Sequence, residues 1–321
     1  MVIRMRIVFM GTPDFAANIL MELKEQHDVI AVYTRPDAVR GRGKALLASP
    51  VKKIALEAGI DVFEPKTLRG EEEVARLRNL APDAICVAAY GMILPQEVLD
   101  IPRYGCLNVH ASLLPKYRGA APIERAILAG EREAGICIMR MEAGLDTGDY
   151  CISRSCEIGD MSSERLTDEL ADKGACALMS ALYEIEQGQV RWTRQNDGDA
   201  TYAPKIEKGE LNLDPNATAF VNQRRVQASS SAHPSRCSLA GKTATLVRTS
   251  MVSSDDAEEV GIQDMQAGSV AFVRKRLFIG CADGALEVCM IKPDGKKEMD
   301  AASFASGVQD IKSGTKTWEQ V

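Results

Sequence analysis

The stretch RIVFMGTPDFAANILMELKEQHDVIAVYT, residues 6–34, decides how the chain begins to fold. RIVFM is an apolar, β-branched run with the character of a strand, and VIAVYT at 29–34 is a second such run. Between them Pro13 suits a first helical turn, and Phe15, Ile19 and Leu23 recur at helical spacing. Strand, helix and strand in that order imply a right-handed parallel crossover. The turn after the first strand holds only Gly11 where a dinucleotide fingerprint would need GxGxxG, so a nicotinamide-dependent reading loses its main support.

Downstream the alternation continues. SPVKKIALEAG (49–59) predicts a helix with Ser49 as N-cap and Pro50 at its first position. DVFEP predicts a short strand, and GEEEVARLRNL a helix whose first-turn acids suit the macrodipole. AICVAAY (84–90) is continuously apolar, as befits a strand covered on both faces. The fold class is therefore α/β, with a mostly parallel sheet flanked by helices.

The chemistry belongs to residues 108–149, NVHASLLPKYRGAAPIERAILAGEREAGICIMRMEAGLDTGD. Strand alternation puts Asn108 and His110 on one side of the run GCLNVHA. A second apolar run, GICIMRM, leads to Asp146 in the glycine-bracketed loop GLDTG. Open α/β sheets place their sites beyond the carboxyl ends of strands, so an amide, an imidazole and a carboxylate are expected to converge there.

After Asp146, DYCISRSCEI predicts a strand, and 162–188 a long helix capped by Ser162 or Ser163, with Leu166, Leu170, Leu178, Leu182 and Ile185 on its apolar face. Composition changes across TYAPKIEKGELNLDPNA (201–217), which sets a domain boundary: 1–204 and 205–321. The second part offers one short helix, TAFVNQRRVQA, and the β-type runs TATLVRTSMV, GSVAFVRKRLFIG and ALEVCMI, which predict a small β-barrel.

Composition narrows the function classes. The net charge is −6, and the region from Lys205 onward holds 15 basic and 15 acidic residues, so a polyanionic partner must be met by local patches. The nine cysteines are scattered without CxxC pairs, which predicts buried reduced thiols and no metal site. No apolar run approaches the roughly 18 to 20 residues of a membrane span, and a cytoplasmic protein is expected. One basic loop stands out: RPDAVRGRGKALLASPVKK carries Arg42 and Lys44 between and beside Gly41 and Gly43. It reads either as a solvated surface loop or as a finger that meets phosphates.

NVHASLLPKYRGAAPIERAILAG and MEAGLDTGD, flanked in order by MGTPDFA, RPDAVRGRGK, ASPVK and AAYGMILP, resemble the methionyl-tRNA formyltransferases among the folate-dependent formyltransferases. The resemblance covers residues 5–204 strongly and the remainder weakly. It implies a Rossmann-like catalytic domain followed by an OB-like tRNA-binding domain. It also implies transfer of a formyl group from 10-formyltetrahydrofolate to the amino group of methionyl initiator tRNA, in translation initiation, by a monomer.

Such a reaction needs an oxyanion partner, a proton acceptor for the attacking nitrogen and a proton for the departing folate nitrogen. Asn108 can donate to the oxyanion, a contribution of about 3 kcal/mol for comparable donors. His110 can shuttle protons, and Asp146 can orient it and favour its charged form. The resemblance assigns catalysis to these positions, folate binding to Ser112, Leu113, Leu114 and Pro115, and contact with the tRNA acceptor end to Arg42 and Lys44. Arg118 and Gly119 belong to the motif without a derivable role. His27 and His233 read as structural or neutral residues, His27 at the end of a surface helix.

Two departures stand out. ASSSAHPSRC (228–237) replaces an aromatic and proline-rich segment, and Cys137 stands where a hydroxyl residue is usual. Loss of large rings removes about 3 kcal/mol or more of burial each, which predicts altered docking of the second domain or an altered grip on tRNA. Two rival functions are a formyltransferase acting on another amine, such as an amino sugar nucleotide, and a non-catalytic nucleic-acid-binding module.

Overall fold

The computed structural model describes residues 4–39, 46–308, 311 and 317–321. The chain divides into two compact units, Met1–Pro122 with Glu133–Glu157 and Leu166–Pro204, and Ile123–Arg132 with Ile158–Arg165 and Lys205–Val321.

The first unit is built on a seven-stranded sheet. Its strands are β1 (Arg6–Gly11), β2 (Asp28–Tyr33), β3 (Val62–Phe63), β4 (Ala84–Ala88), β5 (Cys106–His110), β6 (Glu133–Arg140) and β7 (Tyr150–Glu157). The order across the sheet is β7-β6-β5-β4-β1-β2-β3. The five strands from β5 to β3 run parallel, and β6 and β7 add an antiparallel margin. Strand order reverses at β1 and β4, the place where open α/β sheets open a crevice.

The expected helices are present. α1 (Asp14–Gln26) follows β1 and buries Phe15, Ile19 and Leu23, the residues whose spacing marks it. α2 (Pro50–Glu57) starts with Ser49 accepting from the Lys52 amide. α3 (Glu71–Leu80) carries three acids in its first turn. α4 (Ser163–Glu186) begins with the Ser162 hydroxyl accepting from the Arg165 amide. Against β5, α4 places Gly174, where an added Cβ would lie 2.7 Å from Val109 Cγ1. Val109 points to the face opposite Asn108 and His110 by strand alternation, so α4 packs on the side of β5 away from those two residues.

His27 ends its helix in a structural role, but it is buried there rather than at the surface. It caps α1 and is 7% exposed, its ring nitrogen accepting from the Met5 amide at 3.4 Å, and burial holds its pKa below the ordinary imidazole value.

The second unit holds α5 (Ala219–Gln227), capped by Thr218, and the strands β8 (Arg236–Leu239), β9 (Lys242–Met251), β10 (Val270–Val273), β11 (Arg276–Cys281), β12 (Gly284–Pro293) and β13 (Trp318–Glu319). They pair in the order β10-β11-β12-β9-β8-β13, all antiparallel. An antiparallel bridge between Ser269 and Thr317 links the two ends of this order, and the result is a barrel of OB-like type. Trp318 fills its interior, donating its indole N–H to the Gly280 carbonyl at 2.8 Å. The run GSVAFVRKRLFIG is a hairpin, because Arg274 and Lys275 both take positive φ, the backbone of a tight two-residue turn. Two short helices join the one read from sequence, Ser254–Val260 and Ala301–Ser306, capped by Ser253 and Asp300.

In place of aromatic burial, the serine-rich segment is held by hydrogen bonds. Ser235 is fully buried and donates to the Leu246 carbonyl at 2.7 Å, the Ser229 carbonyl accepts from Ser163, and His233 donates its amide to the Ser230 hydroxyl.

Candidate active site

β5 ends at His110, beside Cys137 of β6 in the antiparallel register, while Asn108 lies between Val87 of β4 and Met139 of β6. The imidazole is 5% exposed. Its Nε2 lies 3.0 Å from the Tyr117 carbonyl oxygen, and its Nδ1 lies 3.7 Å from Asp146 Oδ2. A carbonyl oxygen only accepts, so Nε2 carries the proton in the neutral ring and Nδ1 keeps its lone pair. Nδ1 is thus the basic atom, and once protonated it faces a carboxylate.

Asp146 reaches the ring from the loop between β6 and β7. Its backbone is left-handed, with φ of 52°, a conformation Asp tolerates better than most residues. Oδ2 also accepts from the Gly119 amide at 2.8 Å. Gly119 belongs to a two-residue ladder, Arg118–Gly119 against Tyr202–Ala203, that brings distant segments of the first unit alongside the loop. Gly119 has φ of 125°, and a Cβ there would lie 2.8 Å from the Ala203 oxygen, so glycine is required.

Asn108 is half-buried, and its carboxamide has no hydrogen-bond partner among the described residues. A donor left open beside a buried imidazole is available to an incoming oxygen. Cys137, although in register with His110, is no nucleophile: burial pushes its thiol up to about 12.

The segment Ser112–Pro115 turns away from the end of β5. Ser112 is buried and donates to the Lys116 carbonyl at 2.6 Å, Leu114 packs with Cys137 and Met139, and Leu113 and Pro115 are half-buried. Leu113 fits because β6 offers Gly135, where a Cβ would lie 2.4 Å from Leu113 Cδ2. Arg42 and Lys44 lie outside the described residues.

Sequence reasoning passed over Gln195, which is 7% exposed and donates to the carbonyls of Asp146 and Gly148 at 2.8 and 2.7 Å. Arg118, 2% exposed, donates Nε to the Gln195 oxygen at 3.0 Å and a terminal nitrogen to Asp197 at 2.8 Å. The only sequence signal was a polar run, RQNDGD, with nothing to set one amide apart.

The doubly wound sheet sets a buried imidazole at a strand end 3.7 Å from a loop carboxylate, with the Asn108 amide two residues back on the same strand. The chain belongs to the formyl transferase family: the Formyl transferase model matches residues 5–182, and the Formyl transferase, C-terminal domain model matches residues 205–309. Among curated relatives, the methionyl-tRNA formyltransferase of Methylococcus capsulatus is 43% identical over 302 residues, covering 94% of this chain and 96% of that protein. The methionyl-tRNA formyltransferase of Pseudoalteromonas translucida is 38% identical, covering 95% of each. Among solved structures, HypX from Aquifex aeolicus in complex with tetrahydrofolic acid shares the fold with a TM-score of 0.65 at 19% identity, covering 95% of this chain and 48% of that one.

Proposed function

We infer that the chain transfers a formyl group from 10-formyltetrahydrofolate to the free amino group of methionyl initiator tRNA and so serves translation initiation. The observation that carries this reading is near-full-length identity of 38 to 43% to methionyl-tRNA formyltransferases, together with the His110–Asp146 approach of 3.7 Å.

The folate supplies the formyl carbon. Asn108 donates to the oxygen of that carbon as charge develops on it, and His110 accepts at Nδ1 the proton leaving the attacking amine. Asp146 stabilises the imidazolium, which then returns the proton to the departing folate nitrogen. Half-buried Leu113 and Pro115, with Ser112 and Leu114 holding the turn from within, form an apolar ledge suited to the flat face of a folate ring. Arg42 and Lys44 meet phosphates near the tRNA acceptor end. In this reading 1–204 is the catalytic domain and 205–321 the tRNA-binding domain, of a monomeric cytoplasmic enzyme. Among the described residues no helix is long and apolar enough to cross a membrane.

The test is incubation with 10-formyltetrahydrofolate and charged initiator tRNA. Formyl-methionyl-tRNA supports the reading. Turnover of a small amine such as an amino sugar nucleotide, with the tRNA untouched, replaces it with the rival acceptor. RNA binding without turnover of any amine would mean a binding module.

A further inference from the structure

We propose that Gln195, backed by Arg118, is a positioning residue that sets the Asp146 carboxylate against the His110 ring. The proposal rests on the functional reading above and extends it to a side chain outside the reacting groups.

The orientation of the Gln195 amide follows from its partners. Arginine offers only N–H groups, so the oxygen of Gln195 must face Arg118 Nε, and its NH2 must face the two carbonyls. Both amide protons are therefore committed to the loop that carries Asp146, one at Asp146 itself and one at Gly148.

The same loop is gripped a second time. The Asp146 carboxylate accepts from the amide of Gly119, the residue immediately after Arg118. Residues 118 and 119 thus reach Asp146 at both its ends, the main-chain carbonyl through Gln195 and the side chain directly. Held between them is a non-glycine residue at φ of 52°, a backbone state that persists where the surroundings fix it. The loop also runs close to its neighbours: a Cβ on Gly148 would lie 1.8 Å from the Arg140 oxygen.

An apolar side chain at position 195 would fill much of the same space, but it would leave the buried Arg118 Nε without its acceptor. What it could not do is fix two carbonyls at hydrogen-bond distance, and with them the direction of the carboxylate. The imidazole is anchored through the carbonyl of Tyr117, the residue just before Arg118, so the ring and the carboxylate meet only if both anchors hold.

The test uses the full chain with Gln195→Met and Gln195→Glu, assayed for formyl-methionyl-tRNA, each also in an Asp146→Asn background. Misplacing a reacting group by about 1 Å can cost about a hundredfold, so kcat is expected to fall about tenfold to a hundredfold. KM for the folate and the tRNA should stay within about threefold. In the Asp146→Asn background the same substitutions should change kcat by less than about twofold, since the group they position has lost its charge. Equal losses in both backgrounds would show a general structural role and overturn the proposal, as would full activity of a folded variant. Should Gln195→Met fail to fold, Gln195→Glu carries the test, because it keeps its shape and its acceptor toward Arg118 while losing both donors. A wild-type chain that forms no formyl-methionyl-tRNA would defeat the functional reading and this proposal with it. Wild-type turnover with unaffected variants would defeat the proposal alone.

Discussion

Nδ1 of His110 stands 3.7 Å from Oδ2 of Asp146, while the other ring nitrogen is tied to the Tyr117 carbonyl. The neutral ring has no proton at Nδ1 to give Asp146, so the pair gains its full attraction only when Nδ1 is protonated. Asp146→Asn keeps an oxygen for the Gly119 amide and removes the charge. It should lower kcat by about a hundredfold or more, within the range of positioned acid–base groups, with little change in KM for tRNA. Steady-state formylation at fixed folate checks it, and unchanged kcat would remove the carboxylate from the chemistry.

Asn108→Ala removes the open amide donor. The expected loss is about 3 kcal/mol of transition-state stabilisation, or about a hundredfold in kcat, without a change in melting temperature beyond about 2 °C. Asn108→Asp should be worse still, because it sets a negative charge against the developing oxyanion. Rates within about threefold of wild type would sink the assignment.

Gly135→Ala tests the ledge. Its new Cβ would lie 2.4 Å from Leu113 Cδ2 and 2.5 Å from the Arg154 carbonyl oxygen, so both Leu113 and the neighbouring strand must shift. Overpacking of this kind costs about 1 to 3 kcal/mol. A lower melting temperature together with a raised KM for the folate is expected. A raised melting temperature with unaltered folate KM would show that the segment has nothing to do with that substrate.

Alkaline stability follows from the thiols. Burial pushes Cys106, Cys137 and Cys237 up to about 12, and Cys151 and Cys281 up to about 11. The folded chain keeps these protons at a pH where the unfolded chain, near about 8.5, has released them. Their contribution is complete below that pH and is lost as pH rises toward 12. Denaturant midpoints should fall steadily through this window, and Cys→Ala replacements should flatten the fall. At neutral pH, alkylation of the native protein should mark the exposed Cys176 well before the buried set.

Arg42→Ala should raise KM for tRNA, leave KM for folate alone and make the remaining activity less sensitive to salt, lowering the slope by about one phosphate contact. Kinetics at several salt concentrations decide it, and an unchanged slope would return the loop to plain surface.

Much of this molecule could be read from its residues. Unbroken apolar runs announced the central strands because sheets covered on both faces bury every position, and Ser49 and Pro50 marked the start of α2 through local hydrogen bonding and fixed φ. Asn108 and His110 shared a face by alternation. What stayed hidden depends on contacts between distant segments. Gln195 lies 49 residues from Asp146 and 77 from Arg118, and no local pattern distinguishes it from the exposed Asn196 beside it. His27 read as the end of a surface helix because nothing near it in sequence reveals the Met5 amide that donates to its ring. The turn at Arg274 and Lys275 was hidden because neither residue is the glycine or asparagine that usually marks positive φ.

The bridge between the two ends of the barrel's strand order bears on how the protein behaves in a crowded solution. Strand addition between molecules, the common first step toward aggregates, needs a row of unpaired amides. The Ser269–Thr317 bridge pairs the two ends of the second unit's strand order at one point, and so reduces what the described edge has to offer. The sheet of the first unit does have margins, but one is the two-residue Val62–Phe63 and the other carries the exposed side chains of Arg154, Ser155 and Glu157, which deter a visiting strand.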